Sequence, residues 1–276
     1  MVFKDIHDID LTHIFECGQC FRWMPDGSGA YTGAAGSFAA RVSLSEGSQN
    51  STEDNGRDLT VEATGGDEAF WRHYFDLDTD YGNIKRRLTE SEPLIRAATE
   101  YGQGIRILNQ DPFEMIISFI ISQNNNIPRI RKNIESLCDK YGEPIEGSVR
   151  NAFPSPEALA SADERDLAAM RLGYRGPYII AAAKKYIECG CPGCREELLS
   201  YYGIGPKVAN CIMLFGLRDT AAFPVDTWVK QIMNDLYGFD MKDAKGMQEF
   251  AAEKYGDLAG YVQQYLFYYY RDRSHK

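Results

Sequence analysis

Apolar and polar positions recur with two different periods along the chain, and the change falls near residue 67. Between residues 17 and 64, short β-branched or aromatic runs are separated by stretches of Gly, Ser, Asn and Asp, which is typical of antiparallel strands joined by turns. The polar tract 46–57 predicts a long hairpin loop between two of these strands. From about residue 67 onward, the apolar positions recur with the spacing of helices.

Two helix starts are marked by their capping residues. Residues 111–114, DPFE, place an N-cap carboxylate, a proline at the first helical position and a capping-box glutamate before an apolar stripe. The stripe has the i, i+3, i+4, i+7 spacing of one buried helix face and consists of Phe113, Ile116, Ile117, Ile120 and Ile121. Ser155-Pro156-Glu157 opens a helix in the same way. These patterns predict an α+β chain, with an antiparallel β-sheet domain over residues 1–95 and an all-helical domain over residues 96–276.

The acidic excess of the chain is concentrated in its N-terminal third. The 276 residues carry 40 acidic and 30 basic side chains, a net charge of −10, and 44% are apolar, which suffices for a folded core and excludes a disordered chain. Residues 1–95 hold 17 of the acidic and 8 of the basic side chains, a net of −9. The rest of the chain is nearly balanced, so its charge does not argue against a polyanionic partner.

Histidine and cysteine placement excludes several chemistries. The four histidines stand at positions 7, 13, 73 and 275, so no Ser-His-Asp triad, Cys-His pair or HExxH zinc site can form within residues 96–274. An odd number of cysteines, seven, and a start without a signal-peptide pattern favour reduced thiols and a cytoplasmic location, at the nucleoid in a prokaryote, with a nuclear location left open. A mean hydropathy of −0.39 argues against a membrane span.

The segment 198–215, LLSYYGIGPKVANCIMLF, is typical of two helices joined by a tight hairpin. Its turn, Gly203-Ile204-Gly205, precedes a proline at the first position of the second helix. Two glycines there would let backbone amides approach a phosphate closely, as in helix-hairpin-helix elements that bind the DNA backbone without regard to sequence. A tight connection between two packed helices explains the same residues, and the motif alone does not decide between the two interpretations.

Lys207, in the first turn of the second helix, favours the DNA interpretation. The helix dipole disfavours a cation there and is expected to depress the lysine pKa, which would give a neutral amine for Schiff-base chemistry. Cys211 lies one turn along on the same face. Asp226, in the stretch FPVDTW, is placed to cap a helix, and a carboxylate beside that lysine would also stabilise a cationic transition state. Taken alone, a snorkelling surface lysine and an ordinary capping aspartate remain alternatives.

GIGPKVANC followed by FPVDTW closely resembles the helix-hairpin-helix DNA glycosylases, and specifically the 8-oxoguanine DNA glycosylase family of eukaryotic type. Four further stretches support the narrower resemblance, namely ECGQCFRW (16–23), FIISQNNNIPRI (119–130), LGYRGPY (172–178) and AGYVQQYLF (259–267). The matching segments together run from residue 16 to residue 267, nearly the whole chain.

The resemblance implies which residues act on the sugar and the DNA backbone. Lys207 would attack C1′ of the damaged nucleotide and form a Schiff base, and Asp226 would stabilise the developing oxocarbenium charge. Gly203 and Gly205 of the hairpin would contact the DNA backbone. Trp228 stands where eukaryotic members usually have a histidine that contacts a phosphate near the lesion. An indole N–H could replace one donor of that histidine but not its charge.

The resemblance also implies a pocket for the extruded base. Gly18 would accept, through its backbone carbonyl, the N7–H that 8-oxoguanine has and guanine lacks. Cys211 and Phe267 would sandwich the base, and Gln263 would read its Watson–Crick edge. Because Gln263 and Phe267 are four residues apart on a helix, they would share one face, as a pocket for a flipped base requires.

The orphaned cytosine of the other strand would be recognised by a second group of residues. By resemblance, Asn124, Arg129 and Arg175 would contact this base, and Tyr174 would fill the space that the extruded base leaves. Each of these residues alone would be interpreted as a helix-terminal turn or a solvated surface charge. Their joint occurrence in the order of the family supports the functional interpretation.

Several cysteines depart from the family pattern. Cys17 and Cys20 stand where eukaryotic members commonly have serine. Cys189, Cys191 and Cys194 form a C-x-C-x-x-C cluster that the resemblance does not explain. Metal binding there would need a fourth ligand, and no histidine is nearby, so a loop of free thiols is favoured over a metal site.

Together, these implications describe a base-excision-repair DNA glycosylase with β-lyase activity, which removes 8-oxoguanine paired with cytosine through a lysine Schiff base. Its partner would be duplex DNA, with no membrane, and the protein would be a monomer. No cofactor would be required, and a structural cation at the hairpin would fit the family. Two alternatives stay open: an alkylpurine DNA glycosylase of the same fold, which needs no lysine nucleophile, and a helix-hairpin-helix protein that binds DNA without chemistry.

Overall fold

The computed structural model describes residues 1–45 and 56–273. The predicted hairpin loop over residues 46–57 lies outside the described residues except for its last two positions. Within the described part of the chain, no helix combines the length and the apolar character that crossing a bilayer requires.

A five-stranded antiparallel sheet forms the N-terminal part of the fold, as predicted. The strands lie in the order β1-β5-β4-β3-β2. Val42 of β4 pairs with Val61 of β5, and both side chains are buried in one core with Trp23 and Trp71, so this face of the sheet packs against aromatic residues. The strand bounds are Val2–Ile6 (β1), Met24–Pro25 (β2), Tyr31–Ala35 (β3), Phe38–Leu44 (β4) and Arg57–Ala63 (β5).

Helices make up most of the remaining described chain, which confirms the predicted α+β order of sheet followed by helices. Their bounds are Leu11–Phe15 (α1), Glu68–Tyr74 (α2), Tyr81–Thr89 (α3), Pro93–Tyr101 (α4), Pro112–Ser122 (α5), Ile127–Tyr141 (α6), Pro156–Ala160 (α7), Glu164–Ala169 (α8), Arg175–Cys189 (α9), Arg195–Leu199 (α10), Pro206–Phe215 (α11), Thr227–Tyr237 (α12), Ala244–Tyr255 (α13) and Ala259–Arg273 (α14). A single 3-10 turn, Gly256–Leu258, separates the last two helices.

Helix α5 lies at the centre of the helical core. Asp111 caps it by accepting a hydrogen bond from the Glu114 amide at 2.8 Å, as predicted. The predicted apolar stripe is buried, and so are the other positions from 113 to 121, because α6, α9 and α11 surround the helix. Glu114 itself is buried, and burial raises its pKa to about 7 although the nearby Arg22 guanidinium opposes this shift. α11 therefore packs against a helix that is itself buried in the core.

The loop between α1 and β2 carries the ECGQCFRW motif to the helical core. The buried side chain of Gln19 donates to and accepts from the backbone of residues 106–108. Gln264 of α14 donates a hydrogen bond to the Cys17 carbonyl at 2.7 Å. Because buried hydrogen bonds of this kind are costly to break, they fix the loop and place Gly18 against the last helix.

Candidate active site

The predicted hairpin joins two helices, and its end at Gly205 lies at the surface. α10 ends at Leu199, four residues before Gly203, so the turn is longer than the sequence indicated, and α11 begins at Pro206. Gly205 is exposed, and a Cβ atom there would meet nothing within 4 Å. The N-cap residue of α11 is Gly205, which has no side chain that could cap this end of the helix. The N–H groups of its first turn therefore remain open to an anion, as a contact to a DNA phosphate requires.

Gly203 is required by packing inside the hairpin. Its φ of +85° lies in the left-handed region, and a Cβ atom would approach Tyr178 Cδ2 to 2.2 Å. Its carbonyl accepts a hydrogen bond from Gln123 Nε2 at 3.1 Å. The sequence predicted that this glycine allows close approach of a phosphate, whereas in the structure the aromatic neighbour already excludes any other residue.

Gly203→Ala is expected to lower the free energy of unfolding by more than about 1 kcal/mol, because the left-handed backbone strain adds to the steric overlap with the Tyr178 ring. Gly205→Ala is the matched control, since its backbone and surroundings accommodate a methyl group. Urea denaturation followed by circular dichroism measures both variants. Equal stability of the two variants would contradict this account of the hairpin.

Lys207 extends from the first turn of α11 into the space between α5 and α12. Its Nζ lies 5.6 Å from the centre of the Phe119 ring, and the amine shares a hydrogen bond with Cys211. Burial acts to lower the pKa of Lys207, but the Cys211 thiol and the Asp226 carboxylate outweigh it, so the pKa is raised. The prediction of a depressed pKa was therefore wrong, because it considered the helix dipole without these two neighbours.

Asp226 is the N-cap of α12, as predicted, and accepts a hydrogen bond from the Val229 amide at 2.8 Å. Burial raises the pKa of this carboxyl, opposed by the hydrogen bond from Val229 and by the charge of Lys207. The residue thus combines the two roles that the sequence analysis left open, a helix cap and a carboxylate beside the amine. Such a carboxylate stabilises positive charge and is a better proton acceptor than an exposed one.

The four residues assigned to the extruded base line one cavity of about 50 Å³ together with Lys207 and Asp226. These four residues are Gly18, Cys211, Gln263 and Phe267. The cavity has room for water molecules but not for a purine, so the base enters only if a side chain moves. Gln263 Oε1 is buried and has no hydrogen-bond partner among the described residues, so this cavity-lining residue carries an unused acceptor.

Gly18 is held where any side chain would obstruct this cavity. Its φ is +81°, and a Cβ atom would lie 3.1 Å from the Phe267 ring. Arg271 stacks over the same ring, 5.3 Å from its centre, and donates to the Glu16 carbonyl. The last helix therefore fixes both the glycine loop and the aromatic wall of the cavity.

A second, larger cavity of about 410 Å³ forms an open groove beside the first. Residues 122–124, the hairpin end at Gly205 and the start of α12 line it. Lys207 and Asp226 also line the groove, so these two residues lie where it meets the base pocket. The groove has the position and the polar lining that a DNA sugar-phosphate chain would need.

Lys230, on α12, is a groove residue that the sequence analysis missed. It lies four residues after Asp226 and so shares its helix face, a spacing that could have identified it. Trp228, which stands at the usual histidine position, is not part of the groove lining, whereas Lys230 is. Lys230 therefore adds a second cation to the groove that contains Lys207, whereas the usual histidine position is occupied by the uncharged Trp228.

Two of the residues assigned to the opposite strand lie together at the surface. Asn124 Nδ2 lies 3.2 Å from the Tyr174 hydroxyl, and Tyr174 is 45% exposed, as a side chain that enters a base stack must be. Asn124 has a φ of +47°, in the left-handed region that asparagine tolerates. Asn124 lines the groove that contains Lys207, and Tyr174 contacts Asn124.

The two arginines of this group differ in exposure. Arg175 is buried, stacks under the Tyr174 ring at 4.7 Å and donates to the carbonyls of Gln123 and Asn124. In this structure it therefore supports the loop of Asn124 from below. Arg129 is exposed, and although its Nη2 donates to the Arg171 carbonyl at 3.2 Å, its other guanidinium N–H groups can reach a base edge.

The cluster of Cys189, Cys191 and Cys194 lies at the end of α9 and the start of α10. All three thiols are free, the first two are exposed, and Cys194 is the N-cap residue of α10. Among residues 1–45 and 56–273, no three His, Cys, Asp or Glu side chains are arranged to hold a metal ion. The structure thus gives the metal hypothesis no support at this cluster.

Comparison with known proteins extends the resemblance over the whole chain. Residues 1–116 match the family model of the 8-oxoguanine DNA glycosylase N-terminal domain, and residues 117–256 match that of the HhH-GPD superfamily base excision DNA repair proteins. A probable N-glycosylase/DNA lyase of Methanothermobacter thermautotrophicus is 33% identical over 71% of this chain and 72% of its own. N-glycosylase/DNA lyase OGG1 of Arabidopsis thaliana is 30% identical over 94% and 77% of the two chains.

Solved structures give the same assignment. The 8-oxoguanine glycosylase/lyase of Clostridium acetobutylicum, bound to double-stranded DNA containing cytosine opposite 8-oxoG, is 36% identical with a TM-score of 0.88 over 99% of this chain and 98% of its own. MBOgg1 in complex with a low-affinity DNA ligand is 38% identical, with a TM-score of 0.89 over 99% and 96% of the chains. The chain therefore belongs to the 8-oxoguanine DNA glycosylase family within the HhH-GPD superfamily of base excision DNA repair proteins.

Proposed function

We propose that this enzyme removes 8-oxoguanine paired with cytosine from duplex DNA and then cleaves the strand as a β-lyase. One observation carries the proposal. Lys207 and Asp226 are the two residues that line both the base pocket and the open groove. With the base in the pocket and the sugar-phosphate chain in the groove, C1′ of the extruded nucleotide would lie between these cavities, next to the amine and the carboxylate.

The chemistry follows from this placement. The Lys207 amine would form a bond to C1′ as the glycosidic bond breaks, and the bonding electrons would leave with the base, which gains a proton. Asp226 would stabilise the positive charge that develops on the sugar. Opening of the sugar ring then gives a Schiff base, from which loss of a C2′ proton expels the 3′ phosphate. The chain supplies both groups, so the proposed reaction needs no cofactor.

Lys207 must lose a proton before it can attack. Its raised pKa means that the amine is an ammonium ion at neutral pH, held by the Cys211 thiol and the Asp226 carboxylate. Burial also raises the pKa of the Asp226 carboxyl, which makes this carboxylate a better acceptor for that proton than an exposed aspartate would be. We therefore assign Asp226 two successive tasks. It accepts the lysine proton and passes it to the base as the glycosidic bond breaks, and the carboxylate that this regenerates stabilises the positive charge on the sugar.

Recognition of the base is assigned to the pocket walls. The Gly18 carbonyl would accept the N7–H of 8-oxoguanine, and the unpaired Gln263 Oε1 would accept an N–H from the Watson–Crick edge. Cys211 and Phe267 would enclose the two faces of the base. Asn124, exposed Arg129 and the Tyr174 wedge are assigned to the opposite strand, with Arg175 supporting them from beneath.

Gln263→Leu is expected to lower kcat/KM for 8-oxoguanine excision roughly 10- to 100-fold, the effect of one or two lost hydrogen bonds. Its stability should not fall, because the substitution removes a buried acceptor that has no partner. Gln264→Leu is the matched control and should lose stability, since Gln264 bonds the Cys17 carbonyl. Single-turnover excision and thermal unfolding measure the two effects. Undiminished excision by Gln263→Leu would contradict the assignment.

A monomer and a hairpin cation complete the proposal. DNA is bound along one face, and the residues of the proposed reaction all come from a single chain. A cation at the hairpin would have to be held by backbone carbonyls, because residues 199–205 carry no carboxylate. Such oxygen ligands fit a hard cation, and the ion would brace the turn without taking part in the chemistry.

The alternative of an alkylpurine glycosylase has one structural argument in its favour. A 3-methyladenine DNA-glycosylase of Archaeoglobus fulgidus, 20% identical with a TM-score of 0.76, has the same fold. The amine at the junction of the two cavities favours the lyase instead.

A lesion panel distinguishes the two activities. Single-turnover excision is measured on duplexes that carry 8-oxoguanine opposite each of the four bases, or 3-methyladenine opposite thymine. We expect the fastest excision, followed by strand cleavage, for 8-oxoguanine opposite cytosine. Excision of 3-methyladenine alone would favour the alternative, and binding without any product would favour a DNA-binding protein without chemistry.

A further inference from the structure

A basic depression adjoins the residues assigned to the orphaned cytosine and shares Arg129 with them. It has a volume of about 410 Å³ and is lined by Arg129 and Lys132 of α6 and by Arg171 of the turn between α8 and α9. All three cations are exposed. Lys140, on the same helix, pairs with Asp166, whereas none of the three has a carboxylate oxygen within 4.0 Å in the described part of the chain. In a chain of net charge −10, this leaves a local positive site.

The backbone holds these three side chains in one place. Arg171 has a φ of +61°, in the left-handed region that glycine adopts at lower cost. Arg129 Nη2 donates to the Arg171 carbonyl at 3.2 Å, and buried Asn133 Nδ2 donates to the Met170 carbonyl at 2.6 Å. Two hydrogen bonds thus attach the strained turn to α6. Strained backbone that neighbouring contacts maintain is often found at binding sites.

The position of the basic depression indicates its occupant. Arg171 precedes Tyr174 by three residues, and Arg129 is itself assigned to the opposite-strand base. The depression therefore continues the opposite-strand surface away from the groove of Lys207. The ligand that this surface meets next along a duplex is a backbone phosphate, which guanidinium and ammonium groups bind well.

We propose that Lys132 and Arg171, with Arg129 at the rim, bind a backbone phosphate of the undamaged strand. This inference rests on the proposed function, because that function sets the orientation of the duplex on the protein. The contact would hold the duplex while the base is extruded and would read no sequence. It would also account for how a chain with a large acidic excess keeps the undamaged strand in place.

The first test measures affinity for undamaged duplex as a function of salt. Lys132→Ala and Arg171→Gly are suitable variants, because the first lies on an exposed helix face and the second relieves the left-handed strain at Arg171. Each should lower affinity several-fold and reduce the slope of log K against log salt by about 0.9, the contribution of one phosphate contact. Lys140→Ala is the matched control on α6 and should leave the slope unchanged.

The second test identifies the strand. A neutral methylphosphonate, scanned along the undamaged strand, should weaken binding of the wild-type protein at one or two positions and have no further effect there in the Lys132→Ala/Arg171→Gly double variant. The same scan of the damaged strand should affect both proteins equally. An unchanged salt slope in the double variant would overturn the proposal. So would a scan in which the double variant loses its response to methylphosphonates of the damaged strand instead of the undamaged strand.

The two proposals fail in different ways. Excision by the double variant should require a higher enzyme concentration than excision by the wild-type protein, because the contact contributes to DNA binding and neither residue lines the reaction site. If the wild-type protein bound duplex with the expected salt slope but excised no 8-oxoguanine, the proposed function would be wrong and the phosphate contact would stand. If excision occurred and the slope did not change, only the phosphate contact would be wrong.

Discussion

Lys207→Gln is expected to abolish strand cleavage and covalent trapping by borohydride, and to slow excision of 8-oxoguanine by on the order of 10³-fold or more. Glutamine has no amine that could bond to C1′, so neither the Schiff base nor its reduced product can form. Its side chain is one atom shorter than that of lysine and is also unbranched as far as Cδ, so the pocket should keep its shape. Single-turnover excision on an 8-oxoguanine duplex, with borohydride trapping in parallel, measures both losses.

Lys230→Gln is the matched control for this variant, because it removes an amine from the same groove without touching the base pocket. Trapping by this control should persist. Thermal unfolding of both variants verifies that each is folded. Trapping by Lys207→Gln at the wild-type rate would remove Lys207 from the mechanism.

Asp226→Asn should have the second largest effect, a fall in kcat of about 10²- to 10³-fold. Asparagine is isosteric and also caps helices well, so α12 should remain intact and stability should change by less than about 1 kcal/mol. What is lost is the negative charge beside C1′ and the proton acceptor for Lys207. Single-turnover rates from about pH 5 to pH 9 measure the loss of activity, and urea denaturation measures the change in stability.

The pH profile carries a second signature of Asp226. Because burial raises the pKa of its carboxyl, wild-type excision should fall as the pH drops through that raised value, higher than for an ordinary aspartate. The Asn variant should lack this acidic limb. Asp226→Ala, which removes the cap as well, should be both inactive and less stable. Full activity of Asp226→Asn would show that the residue only caps the helix.

Local signals in the sequence predicted much of this architecture. Asp111, Ser155 and Asp226 each cap the helix that their position indicated, since an N-cap needs only a side-chain oxygen and a nearby amide. The i, i+4 relation of Lys207 and Cys211 likewise survives folding, because both lie on α11.

Properties that depend on packing between distant segments were not predictable from the sequence. The pKa of Lys207 is raised by Cys211 on the same helix and also by Asp226, which is nineteen positions away and lies beside the amine only in the folded chain. Gly203 is needed because of Tyr178 on another helix. Arg175, which taken alone would be interpreted as a solvated surface charge, is buried under the loop of Asn124. Local patterns contain no information about these neighbours, which only the tertiary structure brings together.

The identity of the trapped residue tests the central claim most directly. The wild-type enzyme is incubated with a duplex containing 8-oxoguanine opposite cytosine, reduced with borohydride and digested, and the modified peptide is sequenced by mass spectrometry. We expect the deoxyribose remnant on Lys207, in the peptide that contains GIGPK. A remnant on Lys230, on the amino terminus or on no residue at all would contradict the proposed mechanism.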